Sequence, residues 1–286
     1  MINKRNAFNM IVPEIKELFK DPSVEYQIRK TLARVLNYLE VEEIDKVIEF
    51  TIANAKGYRS LDDYERIGHT LFDEKRITQR IPSKLSDRAK LMSEQIREFV
   101  RGHQILDLGC GDGKVGEFLS KGRHVILSDV YKNGNISLLE MPFVKLEYGK
   151  KVSFQDNMFD TTLLLTVLHH SDDPHKLILE AKRITKDKGR IIVIESVYGV
   201  KGYDKNLTNE QQRKINIFFD HFYNRVIHYS KFKENKVNVP YNFQTPSGWK
   251  NFFYRYGLKQ IKLIHLGFDQ LAVPEYHTLH VLEVKK

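Results

Sequence analysis

Cysteine is almost missing from this chain: its 286 residues carry one, Cys110. No intrachain disulfide framework and no cysteine zinc cluster can be built, so a reducing, cytoplasmic setting is expected. Long apolar runs are missing too. No stretch reaches the roughly 18 residues that cross a bilayer, and Met1-Ile2-Asn3-Lys4-Arg5 lacks the apolar core of a signal peptide, so neither a membrane span nor a secretory leader is expected. Proline is sparse, and no internal repeat or low-complexity segment appears. What remains is 41% hydrophobic, enough to bury a full core and long enough for one α/β domain with an accessory part.

The densest signal is Asp107-Leu108-Gly109-Cys110-Gly111-Asp112-Gly113, set directly behind the apolar run Gln104-Ile105-Leu106. A strand that ends in an acid and breaks into alternating glycines lets backbone N–H groups and the start of the next helix (Lys114 to Ser120) approach a ligand closely. A second apolar run, His124 to Ser128, ends in Asp129, where a carboxylate can accept both hydroxyl protons of a ribose. The same region contains Gly111-Asp112-Gly113-Lys114-Val115-Gly116, which satisfies the G-x-G-x-x-G pattern of dinucleotide-binding proteins. That match is weak, because Asp107 and Gly109 intervene before its first glycine and an acid there would face a pyrophosphate unfavourably. A ligand carrying an ammonium and a sulfonium suits Asp107 better.

At this point the chain resembles the class I S-adenosylmethionine-dependent methyltransferases, whose first motif reads acidic-x-Gly-x-Gly-x-Gly and whose second strand ends in an acid. The resemblance continues through Gln155-Asp156-Asn157-Met158-Phe159-Asp160, the strand Thr161 to Thr166, Val167-Leu168-His169-His170, the helix Pro174 to Ile184, the turn Lys186 to Gly189 and the strand Arg190 to Glu195. It implies a Rossmann-like, seven-stranded α/β sandwich with S-adenosyl-L-methionine held by Asp107, Gly109, Cys110, Gly111, Asp129, Val130, Tyr148, Gly149 and Thr166. Two departures stand out. Tyr131 to Met141 is short and contains Asn133-Gly134-Asn135, so a loop or single turn is expected where the family has a helix. After the third strand (Phe143 to Glu147), Tyr148-Gly149 stands where family members often place an Asp for the adenine amino group.

Residue chemistry removes two nucleic-acid subclasses. Methylation at pyrimidine C5 needs a cysteine thiolate, and Cys110 belongs to the glycine turn; exocyclic-amine enzymes carry Asn or Asp before Pro-Pro and an aromatic, where this chain has Leu168-His169-His170-Ser171. The formal charge of +9 keeps RNA in view as a partner, since about +7 of it falls after Val200. Lys231, Lys233 and Lys236, with Arg213, Arg225 and stacking from Phe218, Phe222, Tyr223 and Phe243, could form an RNA track. Scattered lysines over an aromatic core are more often a solvated face.

The first hundred residues read as helices with one apolar face each: Ile11, Ile15, Leu18 and Phe19; a second behind Asp21-Pro22-Ser23 through Leu39; a third from Ile44 to Ile52; a fourth capped by Ser60 with Asp63; and a last one opened by Pro82-Ser83. They form a lid, a packing appendage or a dimer surface. The expected organisation is a helical extension over 1–100 and a methyltransferase domain over 101–286, with a substrate-side insertion at about 200–248. In that insertion Asn209 to Tyr229 reads as one long helix; Thr245-Pro246 then opens another that buries Trp249, and strands Lys259 to Leu266 and His277 to Val284 finish the sheet.

Chemistry is expected where strand four ends. His170, with His169, is the candidate general base for an O, N or C nucleophile; a metal site from His169, His170, Asp172 and Asp173 is not expected, because helix capping explains the acids. Tyr198, Phe222, Tyr223 and Tyr241 are the candidate acceptor-binding residues, with Glu195, His221 and His228 behind them. The reading is methyl transfer to a small-molecule metabolite; RNA methylation and cofactor binding without catalysis stay open as alternatives, and oligomeric state is left open.

Overall fold

The computed structural model describes residues 14–147, 150–203, 206–232 and 236–286. Ile11, Tyr148, Gly149 and Lys233 therefore lie outside the described residues. Among the rest, a seven-stranded sheet runs in the order β3-β2-β1-β4-β5-β7-β6. Strands β1 (Gln104–Leu108), β2 (His124–Asp129), β3 (Phe143–Lys145), β4 (Phe159–Leu165) and β5 (Thr185–Val197) pair in parallel. β7 (Tyr276–Val284) enters antiparallel between β5 and β6 (Leu258–Gly267). The order reverses beside β1, so the carboxyl ends of β1 and β4 flank the switch point, the usual ligand position in such sheets.

Strand residues alternate between two layers. Leu106, Leu108, Ile191, Val193, Leu282 and Val284 pack with α7 (Pro174–Ile184) and α9 (Pro246–Arg255), whose Trp249 and Phe253 are fully buried. Ile105, Ile192, Ile194 and Val281 pack on the opposite face with Met92 and Ile96 of α5 (Ile77–Ile96) and Leu119 of α6 (Lys114–Leu119). A third core joins α1 (Ile15–Leu18), α2 (Pro22–Tyr38), α3 (Ile44–Gly57) and α4 (Leu61–Glu74) to α8 (Asn209–His221). The N-terminal helices and the 200–248 segment thus share one apolar interior, and both meet the sheet at its mouth.

The helix signals hold locally: Asp21 accepts from Ser23 N, Ser60 from Asp63 N, Asp173 from Lys176 N and Thr245 from Gly248 N. The crossover after β2 is a single 3-10 turn over Gly134–Leu138. Three expectations are corrected. α5 starts at Ile77, so Pro82 lies inside the helix; burial of Ile77 and Ile81 extends the apolar face one turn before the proline, at the cost of one backbone bond. The helix from Asn209 does not run on to Tyr229: α8 stops at His221 and the chain widens into a π-helix over Phe222–Ile227, with Phe222, Val226 and Ile227 buried. The expected turn over Lys186 to Gly189 is absorbed into β5, whose register against β4 shifts between Phe159 and Thr161.

Candidate active site

Asp107 lies next to the end of β1 under the glycine turn, 2% exposed, and its Oδ2 has no hydrogen-bond partner among the described residues. Burial, reinforced by the negative charges of Asp129 and Asp112, pushes its carboxyl up to about 7. The turn above it needs glycine. Gly109 has φ +84°, and a Cβ there would sit 2.6 Å from Val167; Gly111 has φ +55°, and a Cβ there would meet nothing within 4 Å, so this part of the loop faces open space. Gly109 N and Cys110 N both donate to Ser128 O, at 2.8 and 3.0 Å, which ties the turn to the end of β2. Asp129 accepts from Gly111 N at 2.9 Å and from Tyr131 N at 3.3 Å, and burial raises its carboxyl as well. Cys110 is buried, and its thiol is pushed up by that burial, so it has no nucleophilic character here.

Thr166 follows β4 with φ +59°, an uncommon conformation for a β-branched residue. Its N–H donates to Ile194 O at 2.7 Å, and its Oγ1 accepts from Arg88 Nη2 at 3.2 Å. Arg88 reaches this point from α5 and also donates through Nε to Gln270 in the β6–β7 connection. The sequence reading missed Arg88 and Gln270, since a lone arginine on an amphipathic helix looks like solvated charge.

His169 and His170 stand side by side on the 3-10 turn after β4, ring centroids 4.1 Å apart. His169 is 2% exposed, stacked on Phe243, with Nδ1 2.5 Å from Glu195 Oε2. Glu195 Oε1 accepts from Val167 N at 3.1 Å and Leu168 N at 2.7 Å. Burial pushes the Glu195 carboxyl up and the His169 imidazole down, and the short contact puts one proton between Nδ1 and Oε2. His170 is partly exposed and donates from Nδ1 to Asn238 O at 2.9 Å; burial and the adjacent His169 lower its pKa. Its Nε2 lies 3.5 Å from Asp220 Oδ1, and His169 Nε2 lies 3.9 Å from the same oxygen. Asp220, on α8, is 2% exposed; Oδ1 accepts from Asn224 Nδ2 at 2.8 Å, and Oδ2 has no partner among the described residues. Asp220 was also missed, because nothing in the sequence places residue 220 opposite residues 169 and 170.

The proposed acceptor residues are dispersed. Tyr223 is half-buried, and its hydroxyl has no partner among the described residues. Phe222 is packed in the helical core, edge-on to Phe72, with no face toward a cleft. Tyr241 hydrogen-bonds His221 Nδ1 at 2.5 Å, and both line a separate cavity of about 370 Å³ beneath Tyr58 and Leu61. Tyr198 packs half-buried against the helical core, and His228 is exposed, edge-on to Tyr223. Asp173 caps α7 and Asp172 accepts from Asn238 Nδ2 at 2.8 Å, so neither acid joins the histidines. The cationic residues of the supposed RNA track are largely engaged: Arg213 is buried, and Arg225 and Lys236 each reach Glu65 at 2.8 Å.

Residues 106–193 match the model of a methyltransferase domain. An uncharacterized protein of Methanocaldococcus jannaschii is 28% identical over 108 residues, covering 35% of this chain and 48% of that protein. The demethylmenaquinone methyltransferase of Paenarthrobacter aurescens is 28% identical over 114 residues, covering 38% of this chain and 45% of that enzyme. The chain thus spans about half the length of the curated relatives it matches. Among solved structures, a Pyrococcus horikoshii protein aligns with a TM-score of 0.50 at 16% identity, over 70% of this chain and 90% of its own. The 1,6-didemethyltoxoflavin-N1-methyltransferase of Burkholderia thailandensis, solved with 1,6-didemethyltoxoflavin and S-adenosylhomocysteine, aligns with a TM-score of 0.50 at 13% identity, over 80% of this chain and 92% of its own. These two share the fold. No described helix is long and apolar enough to cross a membrane. The strand order and the acid-and-glycine turn after β1 agree with the methyltransferase domain that residues 106–193 match.

Proposed function

We propose that the protein transfers a methyl group from S-adenosylmethionine to a nucleophilic atom of a small-molecule acceptor. The observation that carries this reading is a buried carboxylate, Asp107, with an unpartnered oxygen beneath a glycine turn that opens to space, beside a second carboxylate at the end of β2. Those groups fit a cationic nucleoside: Asp107 suits the ammonium and sulfonium, Asp129 the ribose hydroxyls, and the backbone of Gly109 to Gly111 the close approach. The cofactor supplies an electrophilic methyl. Everything else falls to the chain, which must hold the acceptor atom in line and take away its proton.

The acceptor side is assigned to the end of β4, where Thr166 and His170 stand, with Asp220 of α8 facing His170 and Tyr223 on the π-helix. His170 is neutral near pH 7, and its Nδ1–H is fixed on Asn238 O, which leaves Nε2 as the proton acceptor. Asp220 stabilises the imidazolium that results. A small acceptor is favoured over RNA because Arg213 is buried, Arg225 and Lys236 are paired with Glu65, and Phe218, Phe222 and Phe243 are buried, which takes these residues out of a basic, aromatic track. The named substrates of the Burkholderia and Paenarthrobacter enzymes are compatible with this class. Calorimetric titration of the folded protein with S-adenosylmethionine and, separately, NAD tests the cofactor: one-to-one binding of the first is expected, and binding of NAD alone sinks the proposal.

A further inference from the structure

We propose that His169, His170 and Asp220 form a binding site for one divalent transition-metal ion. The starting point is a count of protons and lone pairs. His170 Nδ1 faces the carbonyl oxygen of Asn238 at 2.9 Å, and a carbonyl can only accept, so the ring proton is on Nδ1 and Nε2 presents a lone pair. That lone pair points at Asp220 Oδ1 from 3.5 Å, where two acceptors face each other with nothing to join them. His169 repeats the pattern. Its Nδ1 sits 2.5 Å from Glu195 Oε2 and shares one proton with it, and its Nε2 looks toward the same Asp220 oxygen from 3.9 Å.

The three donor atoms lie within 4.8 Å of one another, and two of the three residues are buried. Asp220 supplies an independent sign that something is to be bound. It is 2% exposed, yet among the described residues Oδ2 has no partner and the one side-chain donor is Asn224 on Oδ1. A buried carboxylate whose Oδ1 faces two imidazole nitrogens and whose Oδ2 is left over is stable when a cation stands between them. Ligands about 2.1 Å from a common ion lie roughly 3.0 to 3.4 Å apart, so the 3.5 and 3.9 Å separations from Asp220 Oδ1 are close to that range and the three atoms, all within 4.8 Å of one another, must draw together to hold an ion. The outer shell is in place as well. Glu195 holds His169 with its proton on Nδ1, the carboxylate–histidine–metal arrangement, and Glu195 is itself fixed by Val167 N and Leu168 N. The Asn238 carbonyl does the same for His170.

Two imidazoles and one carboxylate select a borderline ion such as Fe²⁺, Co²⁺ or Zn²⁺ over Mg²⁺ or Ca²⁺, and three protein ligands leave positions open for an incoming group. The site rests on the methyltransferase reading only for its role. There it would bind the acceptor's oxygen or nitrogen directly and lower its pKa; with the ion bound, the His170 Nε2 lone pair is taken, so the base role given above belongs to the metal-free site.

The test uses tag-free wild-type protein dialysed against chelator and titrated with Co²⁺, followed by visible absorption and elemental analysis. One Co²⁺ per chain is expected, displaced by Zn²⁺. His170→Ala and the isosteric Asp220→Asn should weaken it at least a hundredfold and abolish the Co²⁺-dependent rise in Tm, while His124→Ala, an exposed histidine on β2, binds as wild type does. Wild type that folds and binds S-adenosylmethionine but takes up neither Co²⁺ nor Zn²⁺ stoichiometrically overturns the metal site and leaves the methyltransferase reading standing. Equal affinity in both ligand variants and wild type overturns the ligand assignment. Metal uptake by a protein that cannot bind the cofactor refutes the methyltransferase reading instead.

Discussion

Asp107 is the residue whose removal should separate stability from function. In the cofactor-free protein its carboxyl is raised from the ordinary 3.8 to about 7, first by burial and then by Asp129 and Asp112, against a backbone contact with Gly116. Because the folded-state pKa lies above the unfolded one, the folded protein holds a proton between pH 4 and 7 that the unfolded chain has released. The stability penalty is therefore full above pH 7 and disappears as pH falls toward 4. At about 1.4 kcal/mol per unit, it is on the order of 4 kcal/mol at pH 8. Asp107→Asn should raise the Tm of the cofactor-free protein at pH 8 by several degrees, and the gain should shrink below pH 7 and vanish as pH approaches 4. Cofactor binding should move the other way. The cation requires the ionised carboxylate, so wild-type affinity should fall about tenfold per pH unit below 7, with one proton released on binding at pH 6. The variant should bind roughly ten- to hundredfold more weakly at pH 8 and show no such slope. Calorimetry between pH 6 and 8 in buffers of differing ionisation enthalpy reads both quantities. A wild-type affinity independent of pH, or a variant less stable than wild type at pH 8, would refute the reasoning.

Three further outcomes are expected. Glu65→Ala should cost about 3 to 5 kcal/mol by denaturant unfolding at pH 7, since it strands Arg225, Lys236 and His221 around a buried gap between α4 and the π-helix. Burial alone would raise the Glu65 carboxyl, but the His221 and Lys236 contacts and the Arg225 charge outweigh it and lower the pKa, so this contribution is present above pH 4.5 and is lost as pH falls below it. His170→Ala should slow single-turnover methyl transfer about 10²-fold while leaving cofactor affinity unchanged; loss of thermal stability with an unimpaired rate would assign it a structural role instead. Replacing exposed Lys201 and Lys231 together by Ala should leave both rate and salt dependence unchanged, whereas an RNA acceptor would lose about one unit of log K against log salt slope per contact removed.

Local chemistry made much of the fold legible. The acid-and-glycine turn after β1, the capping residues Asp21, Ser60, Asp173 and Thr245, and the apolar runs of β1 and β2 each report on neighbours within a few residues. Where tertiary packing decided, the sequence was silent or misleading. Pro82 reads as a helix start, but buried Ile77 and Ile81 pull the preceding turn into α5. The π-helix over Phe222–Ile227 is invisible to a 3.6-residue period, because it is the packing of those side chains that widens the turn. The same distinction applies at the site. His169 and His170 could be singled out by their place after β4, but their partners Glu195, Asp220 and Asn238 lie 26 to 68 positions away, and Arg88 comes from a helix before the sheet begins. Only the assembled sheet mouth brings them together.

The measurement that bears most directly on the central claim is a partition of label. Protein, methyl-labelled S-adenosylmethionine and whole-cell extract are incubated together, and label is followed into nucleic-acid-free metabolites and into RNA, with Asp129→Ala and His170→Ala as controls. The account predicts label in a small metabolite, lost in both variants and unaffected by removing RNA beforehand. Label confined to RNA, or no transfer to either pool by a protein that binds the cofactor, would contradict it.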